Sequence, residues 1–514
     1  MKKQTLRKQL LIAFATLVAT EGGSLFGAKS TPDNVIMAVT GLDSRKQKEE
    51  LVYIASLQGL VAKKEAKIFI EQKENAFWYK PFEKLGYKFR LCDMDEVTKA
   101  YLSRAKGYVL CDMASVTVAA TLAGPMEAVV LPEGLLSKYK YFDKMKRLYD
   151  VRGKDEEWLL EYVKANLEKF NLHAIVQNNP DTPFTMIDYS ITNNFICAVG
   201  RDQPDLVRAY YSLIKPNNPR IGWATPYKNE VKDVGLAAEY GLYTLPGANT
   251  VNMSFFTEAK ADTPKLKFED RSLPDMKGKK VHYVMIMMSD GDNINYTLSG
   301  MVQSQKYILN PNCEGIPMNW MYSPSMQSMC PGPHSWYAAS LPKYNYLIGA
   351  VSGMGYTFPS EQKHLDEFCI KTNAAMKASG LDYCVIMDRK DFRTEQKRIL
   401  TGMLAKMPDV KGLYYMDYSG YDKWKGDCYK IDGRPVISFR HRLWLPKFPL
   451  EDVVAKINAS SRNPQELDAY SAVVVHAWSY TMDDVARFIK MLDDDVVLVN
   501  GSQFVELMLK NVDI

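Results

Sequence analysis

The sequence has no Cys-x-x-C pair, no Gly-x-Ser-x-Gly and no His-Glu-x-x-His. It therefore lacks the thiol pair of redox and cysteine–zinc sites, the nucleophile elbow of one hydrolase class and the metal helix of zincins. Basic blocks are absent too: 65 Lys and Arg are spread among 60 Asp and Glu, a formal charge of +5. Such an even spread leaves no electrostatic footprint for nucleic acid, which argues against that partner. Beyond the N-terminus no apolar run approaches the ~20 residues that cross a bilayer. Eight cysteines in 514 residues do not make a disulfide scaffold. Cys111, Cys197 and Cys384 lie inside apolar runs and read as buried small hydrophobes. Cys313 and Cys330 share one long connection, where a bridge is left open.

What is present begins with a leader. Lys2, Lys3, Arg7 and Lys8 precede an apolar stretch from Leu10 to Ala19, and Gly22, Gly23 and Ser24 follow. A short apolar core behind basic residues is the pattern of a secretory signal, so residues 1–28 are expected to be removed on export to the periplasm or beyond. Cutting after Ser24 takes away those four cations and Glu21, which lowers the net charge from +5 to +2. The mature chain then has no membrane partner. Its 46% hydrophobic and 24% charged residues suit a soluble globular protein. The 31 tyrosines and 8 tryptophans suit either a large core or carbohydrate stacking.

Periodicity divides the rest. From about 30 to 270, helical and strand patterns alternate, as in small α/β (Rossmann-like) domains. The charged stretch Arg147 to Glu157 separates a domain at 29–150 from a second at 151–270, and the Pro-rich, charged stretch Thr263 to Lys280 is a linker. From 275 to 514 eight apolar runs recur: Val281–Met288, Ile316–Trp320, Tyr346–Val351, Tyr383–Met387, Leu413–Met416, Val436–Phe439, Ala472–Val475 and Val496–Val499. With helical patterns between several of them, they predict a (β/α)-barrel-like domain of seven or eight strands.

In such a domain the residues just after each run converge on one face. These are Ser289-Asp-Gly-Asp-Asn293, Tyr322-Ser-Pro324, Asp388-Arg389, Asp417-Tyr418, Arg440-His-Arg442, His476-Ala-Trp478 and Asn500. Glycosidic cleavage needs a carboxylic acid and a second carboxylate. Asp290, Asp292, Asp388 and Asp417 are the candidates, with Glu361 further out. Each could instead be an N-cap or turn residue. Trp320, Tyr356, Trp444 and Trp478 offer ring faces for sugars. Arg389 and His476 would contact substrate or tune charge. No cofactor is called for; Asp290-x-Asp292 could hold a metal, but it does not fit a calcium loop. Asp290 with His476 also invites comparison with metal-dependent polysaccharide deacetylases, but the absence of any His-x-x-x-His leaves their ligand set incomplete.

The run Tyr346–Val351 leads into Gly353-Met-Gly-Tyr-Thr-Phe-Pro359. Lacking a third glycine and a Gly-Lys-Ser/Thr, this is no phosphate loop but a shaped aromatic wall at a strand end. It closely resembles the signature of the GxGYxYP family, described as "putative glycoside hydrolases", with Phe358 in place of the second tyrosine. Ser289-Asp-Gly-Asp-Asn293, Ile316-Pro-Met-Asn-Trp320, Ser323-Pro324 and Ser56-Leu-Gln-Gly-Leu60 with Trp78 are similar to further segments of that family. The resemblance implies a secreted carbohydrate-active protein with small N-terminal α/β domains and a C-terminal catalytic domain. The expected function is therefore glycoside hydrolysis of a poly- or oligosaccharide. A metal-dependent carbohydrate esterase and a non-catalytic glycan binder on a degenerate barrel are the alternatives; oligomeric state is open.

Overall fold

A computed structural model describes residues 34–73, 75–200, 202–223, 229–247, 249–273, 278–303 and 305–514. The expected leader lies outside the described residues. The chain forms two compact units: one runs to Asp262 and includes Met329–His334, the other holds Thr263–Ser328 and Ser335–Ile514.

The first unit carries three small parallel sheets. Strands β1 (Val35–Val39), β2 (Ile68–Ile70) and β3 (Lys88–Cys92) pair in the order β2-β1-β3. Strands β4 (Gly107–Cys111), β5 (Ala128–Pro132) and β6 (Arg147–Asp150) pair as β5-β4-β6. The third sheet orders β7 (Ile175–Gln177), β8 (Ile196–Ala198), β9 (Pro219–Gly222) and β10 (Tyr243–Leu245) as β10-β9-β7-β8. Helix Lys48–Ala62 is buried from Glu50 to Ala62 because structure surrounds it. Ser56 Oγ accepts from the Val130 amide of β5 at 2.9 Å, and Gln58 Nε2 donates to the Ile68 carbonyl of β2 at 2.9 Å. At Gly59 a Cβ would stand 2.3 Å from the Asp188 carbonyl oxygen, so only glycine allows the third contact, to helix Ile187–Asn193. Ser56, Gln58 and Gly59 thus bind one helix to two of the sheets and to the helix that follows β7 of the third.

The second unit carries one large curled sheet. Its strands are β11 (His282–Met288), β12 (Met318–Tyr322), β13 (Tyr346–Gly349), β14 (Tyr383–Asp388), β15 (Gly412–Asp417), β16 (Cys428–Ile431), β17 (Arg434–Ser438), β18 (His441–Leu443), β19 (Tyr470–Val475) and β20 (Val496–Leu498). They pair in the order β16-β17-β15-β14-β13-β12-β11-β19-β18, and β20 pairs with β11. Among the described strands of this sheet, the β16–β17 hairpin is antiparallel and the other pairs are parallel. All eight apolar runs are strands. Among the described residues the sheet holds ten strands rather than seven or eight; β16 and β18 are short and partly polar, so they left no apolar run. Between β17 and β18 the chain changes partner: the Phe439 amide bonds the Tyr415 carbonyl of β15, and the Arg440 amide bonds the Ala472 carbonyl of β19.

The molecule is thus a mixed α/β protein. All eight cysteines are buried and free, so the bridge left open between Cys313 and Cys330 is not formed. Among the described residues no helix is long and apolar enough to cross a membrane.

Two buried histidines lie in the large sheet, His282 on β11 and His441 on β18. Burial pushes His282 down to about 4, although Nδ1 lies 3.0 Å from the Ser461 carbonyl, and burial pushes His441 down to about 3. Both folded values lie below the unfolded ~6.5, so the stability they contribute is present above ~6.5 and is lost as pH falls toward 4, at about 1.4 kcal/mol for each pH unit separating folded from unfolded titration. Thermal denaturation at pH 7 and pH 5 should therefore show a drop in midpoint, and the drop should shrink in His441→Gln.

Candidate functional site

The loop after β11 is shaped by its glycine. A Cβ at Gly291 would lie 1.5 Å from the Met321 carbonyl oxygen, so the loop rests directly on the end of β12. Asp290 accordingly adopts φ 68°, a left-handed conformation that aspartate tolerates better than most residues. Its Oδ1 accepts a hydrogen bond from Trp478 Nε1 at 2.8 Å, and its Oδ2 accepts one from Ser289. Ser289 Oγ in turn accepts from the Ala477 amide at 3.2 Å. The loops after β11 and β19 are therefore tied together. Asp292, two residues on, is buried.

Next to this tie, the His476 ring lies flat on Trp444, with centroids 3.9 Å apart and planes within 8°. Burial lowers the His476 pKa from its ordinary value, while the Asp290 charge opposes the shift. Trp444 meets Tyr421 at 5.1 Å, and Trp478, 59% exposed, meets Tyr296 at 5.3 Å. An aromatic rim therefore follows neighbouring strand ends: Tyr421 after β15, Trp444 after β18, His476 and Trp478 after β19. Asp290 sits on that rim.

Asp388 and Asp417 form a second group, side by side in the β14–β15 register. Asp388 is wholly buried; its oxygens accept from the Ser360 amide at 2.8 Å, the Ser360 hydroxyl at 2.6 Å and the Arg389 amide at 2.8 Å. Burial raises its pKa against the pull of those bonds. Asp417 accepts from the Ser419 amide at 2.9 Å, Lys423 Nζ at 3.0 Å and Trp424 Nε1 at 3.2 Å. Asp417 fastens the loop that follows its own strand, while Asp388 fastens Ser360 in the loop after β13 as well as the start of its own loop. Arg389 pairs with Glu361 and lies 5.0 Å over the Phe358 ring.

Two of the aromatic expectations are corrected. Trp320 is wholly buried, with its indole donating to Asn345 Oδ1 at 2.7 Å; it belongs to the core, since its strand turns it away from solvent. Tyr356 is only 5% exposed, and its ring meets Phe358 edge-on at 5.6 Å. The whole heptad Gly353–Pro359 is buried. Gly353 has φ 136°, and a Cβ there would strike Thr372 Oγ1 at 2.5 Å. The heptad is thus a packed brace that ends at Ser360 in the grip of Asp388, not an open wall. Sequence reasoning missed Tyr421, Lys423 and Trp424; the Ser419-Gly420 turn signal after a strand was the available clue. Among the described residues no three His, Cys, Asp or Glu side chains are grouped to hold a metal.

Residues 280–509 match the model of the GxGYxYP "putative glycoside hydrolase" C-terminal domain, and residues 105–165 match the GxGYxYP_N second domain. The chain belongs to the GxGYxYP family. A crystal structure described as a "putative hydrolase" from Bacteroides thetaiotaomicron VPI-5482 superposes with a TM-score of 0.83 at 25% identity, covering 93% of this chain and 94% of that one. A structure described as a "putative polysaccharide deacetylase" from Mycobacterium smegmatis reaches a TM-score of 0.31 at 10% identity over 48% of this chain and 97% of that one, too low to carry an argument. No curated protein matches.

The GxGYxYP brace makes its own prediction. Asp388→Asn puts an amide N–H2 against donors of Ser360 or Arg389, so it should cost about 1–3 kcal/mol in urea unfolding. A variant as stable as the parent would show that Asp388 does not anchor the heptad.

Proposed function

We propose that this chain is an exported glycoside hydrolase that lays a poly- or oligosaccharide along the Tyr421–Trp444–His476–Trp478 rim and uses Asp290 as one of its two reacting carboxylates. One observation carries this reading: a carboxylate on left-handed backbone, held by the indole of an exposed tryptophan, stands beside a flat Trp–His stack. Aromatic faces bind the apolar faces of sugar rings with little loss of side-chain freedom. A carboxylate beside them is placed for glycosidic acid–base or nucleophilic work. The family description supports the same class of reaction.

Asp388 and Asp417 are assigned to holding loops, because their oxygens are occupied and both are buried. The second reacting carboxylate is then Glu361, which is partly exposed and paired with Arg389, because Asp292 on the Asp290 loop is buried as well. A neutral His476 next to Asp290 keeps a second cation away from the reacting carbon. In this reading the partner change at Phe439–Arg440 makes the large sheet work as a barrel, its site at the C-terminal strand ends. The basic and apolar N-terminus supports export.

Kinetics on a panel of oligosaccharides test the proposal. Asp290→Asn should lower kcat by ~10²–10⁴-fold. Trp478→Ala should mainly raise KM, by up to ~10-fold. Turnover unchanged in Asp290→Asn sinks the assignment, and glycan binding without any turnover in the parent sinks the hydrolase reading.

A further inference from the structure

The first unit has a cavity of its own, about 450 Å³, within the ~300–1,000 Å³ of small-molecule sites. Its walls come from an unusual set of loops. In the first sheet β1 is central, with β2 on one side and β3 on the other. In the second, β4 is flanked by β5 and β6, and in the third β7 is flanked by β8 and β9. Each of these strands is therefore the point where successive crossovers leave in opposite directions, and in open parallel sheets a ligand crevice forms outside the carboxyl end of such a strand. The loop after β1 brings Arg45 and Lys46 to the cavity, the loop after β4 brings Met113, and the loop after β7 brings Pro180 and Pro183. Three switch points open into one space.

The walls are tied to each other. Lys48 Nζ donates to the Asp181 carbonyl at 2.8 Å, joining the β1 and β7 loops. Lys138, which follows β5, pairs with the buried Glu50. The Arg45 amide bonds Asp43 Oδ1 at 2.8 Å, and the Asp43 amide bonds Gln47 Oε1 at 3.0 Å, which fixes the backbone that presents Arg45 and Lys46. Arg45, Lys46, Lys48 and Lys138 line the cavity together with the carboxylates Glu49 and Glu50 and the apolar Met113, Pro180 and Pro183. Cations suit an acidic group, carboxylates accept from hydroxyls, and the apolar residues suit a sugar's apolar face.

We propose that this cavity is a second binding site, for an acidic oligosaccharide. It is independent of Asp290. Calorimetric titration of the full chain with tri-galacturonate tests it, with maltotriose and inorganic phosphate as comparison probes. Tri-galacturonate should bind, and Arg45→Ala/Lys46→Ala should weaken it at least 10-fold with an unchanged thermal midpoint, because both side chains are exposed. Asp290→Asn should leave this binding intact. Binding that survives the double substitution, or that falls with Asp290→Asn alone, overturns the site. Equal binding of maltotriose overturns the acidic class, and equal binding of phosphate overturns the sugar.

Discussion

The site in the C-terminal unit depends on one exchange of backbone hydrogen bonds. At Phe439 the chain is still paired with β15, and at Arg440 it is already paired with β19. An unpaired strand edge exposes a row of amides and carbonyls, which is costly when buried. By serving one edge and then the other, a single stretch of chain satisfies both. The functional consequence follows from position: Trp444, just beyond β18, is brought between the loop after β15 and the end of β19. Without that exchange Tyr421, Trp444 and His476 would not be neighbours, and Asp290 would face solvent without a platform.

The strand-end carboxylates differ in burial and in what holds them. Asp388 and Asp417 stand in adjacent register, yet each is filled with loop donors, Asp388 mainly from Ser360 in the loop after β13 and Asp417 from the loop after its own strand. A carboxylate satisfied in this way resists displacement, because breaking its bonds leaves buried donors unpaired. Asp290 differs: it is partly exposed, and its indole donor belongs to a side chain that is itself mostly in solvent. The Gly353–Pro359 heptad is a packed brace. Gly353 is demanded by close packing on Thr372 and Phe358 packs on Tyr418, so the signature serves packing and carries no group fit for acid–base work near neutral pH.

Much of this was legible in the sequence because apolar runs survive in strands covered on both faces. Val281–Met288 and Ala472–Val475 are examples, and the polar residues after them do lie at strand ends. β18 was not legible: His441-Arg-Leu443 is three residues long, and its pairing is decided by β19, thirty residues away. Nor could periodicity tell a strand-end aromatic from a core one. Trp320 ends one apolar run and Trp478 lies just beyond another, but one is sealed by Asn345 and the other stands 59% exposed. Exposure depends on which neighbour covers the ring, and that neighbour comes from elsewhere in the chain.

The same rule shapes both units. Parallel strands feed their helices from the carboxyl end, so the loops there are free to carry polar groups while the strand interiors stay apolar. In the C-terminal unit one sheet curls until its own loops face each other. In the N-terminal unit the sheets are small, and helix Lys48–Ala62 does the gathering, with Ser56 on β5, Gln58 on β2 and Gly59 on the helix that follows β7. Gly59 is the strictest of the three, since any side chain there would have to displace the backbone of Asp188. Replacing it would push helix Lys48–Ala62 and helix Ile187–Asn193 apart. A glycine inside a helix, ordinarily a weakness of ~1 kcal/mol, is here the condition for the close approach of two helices.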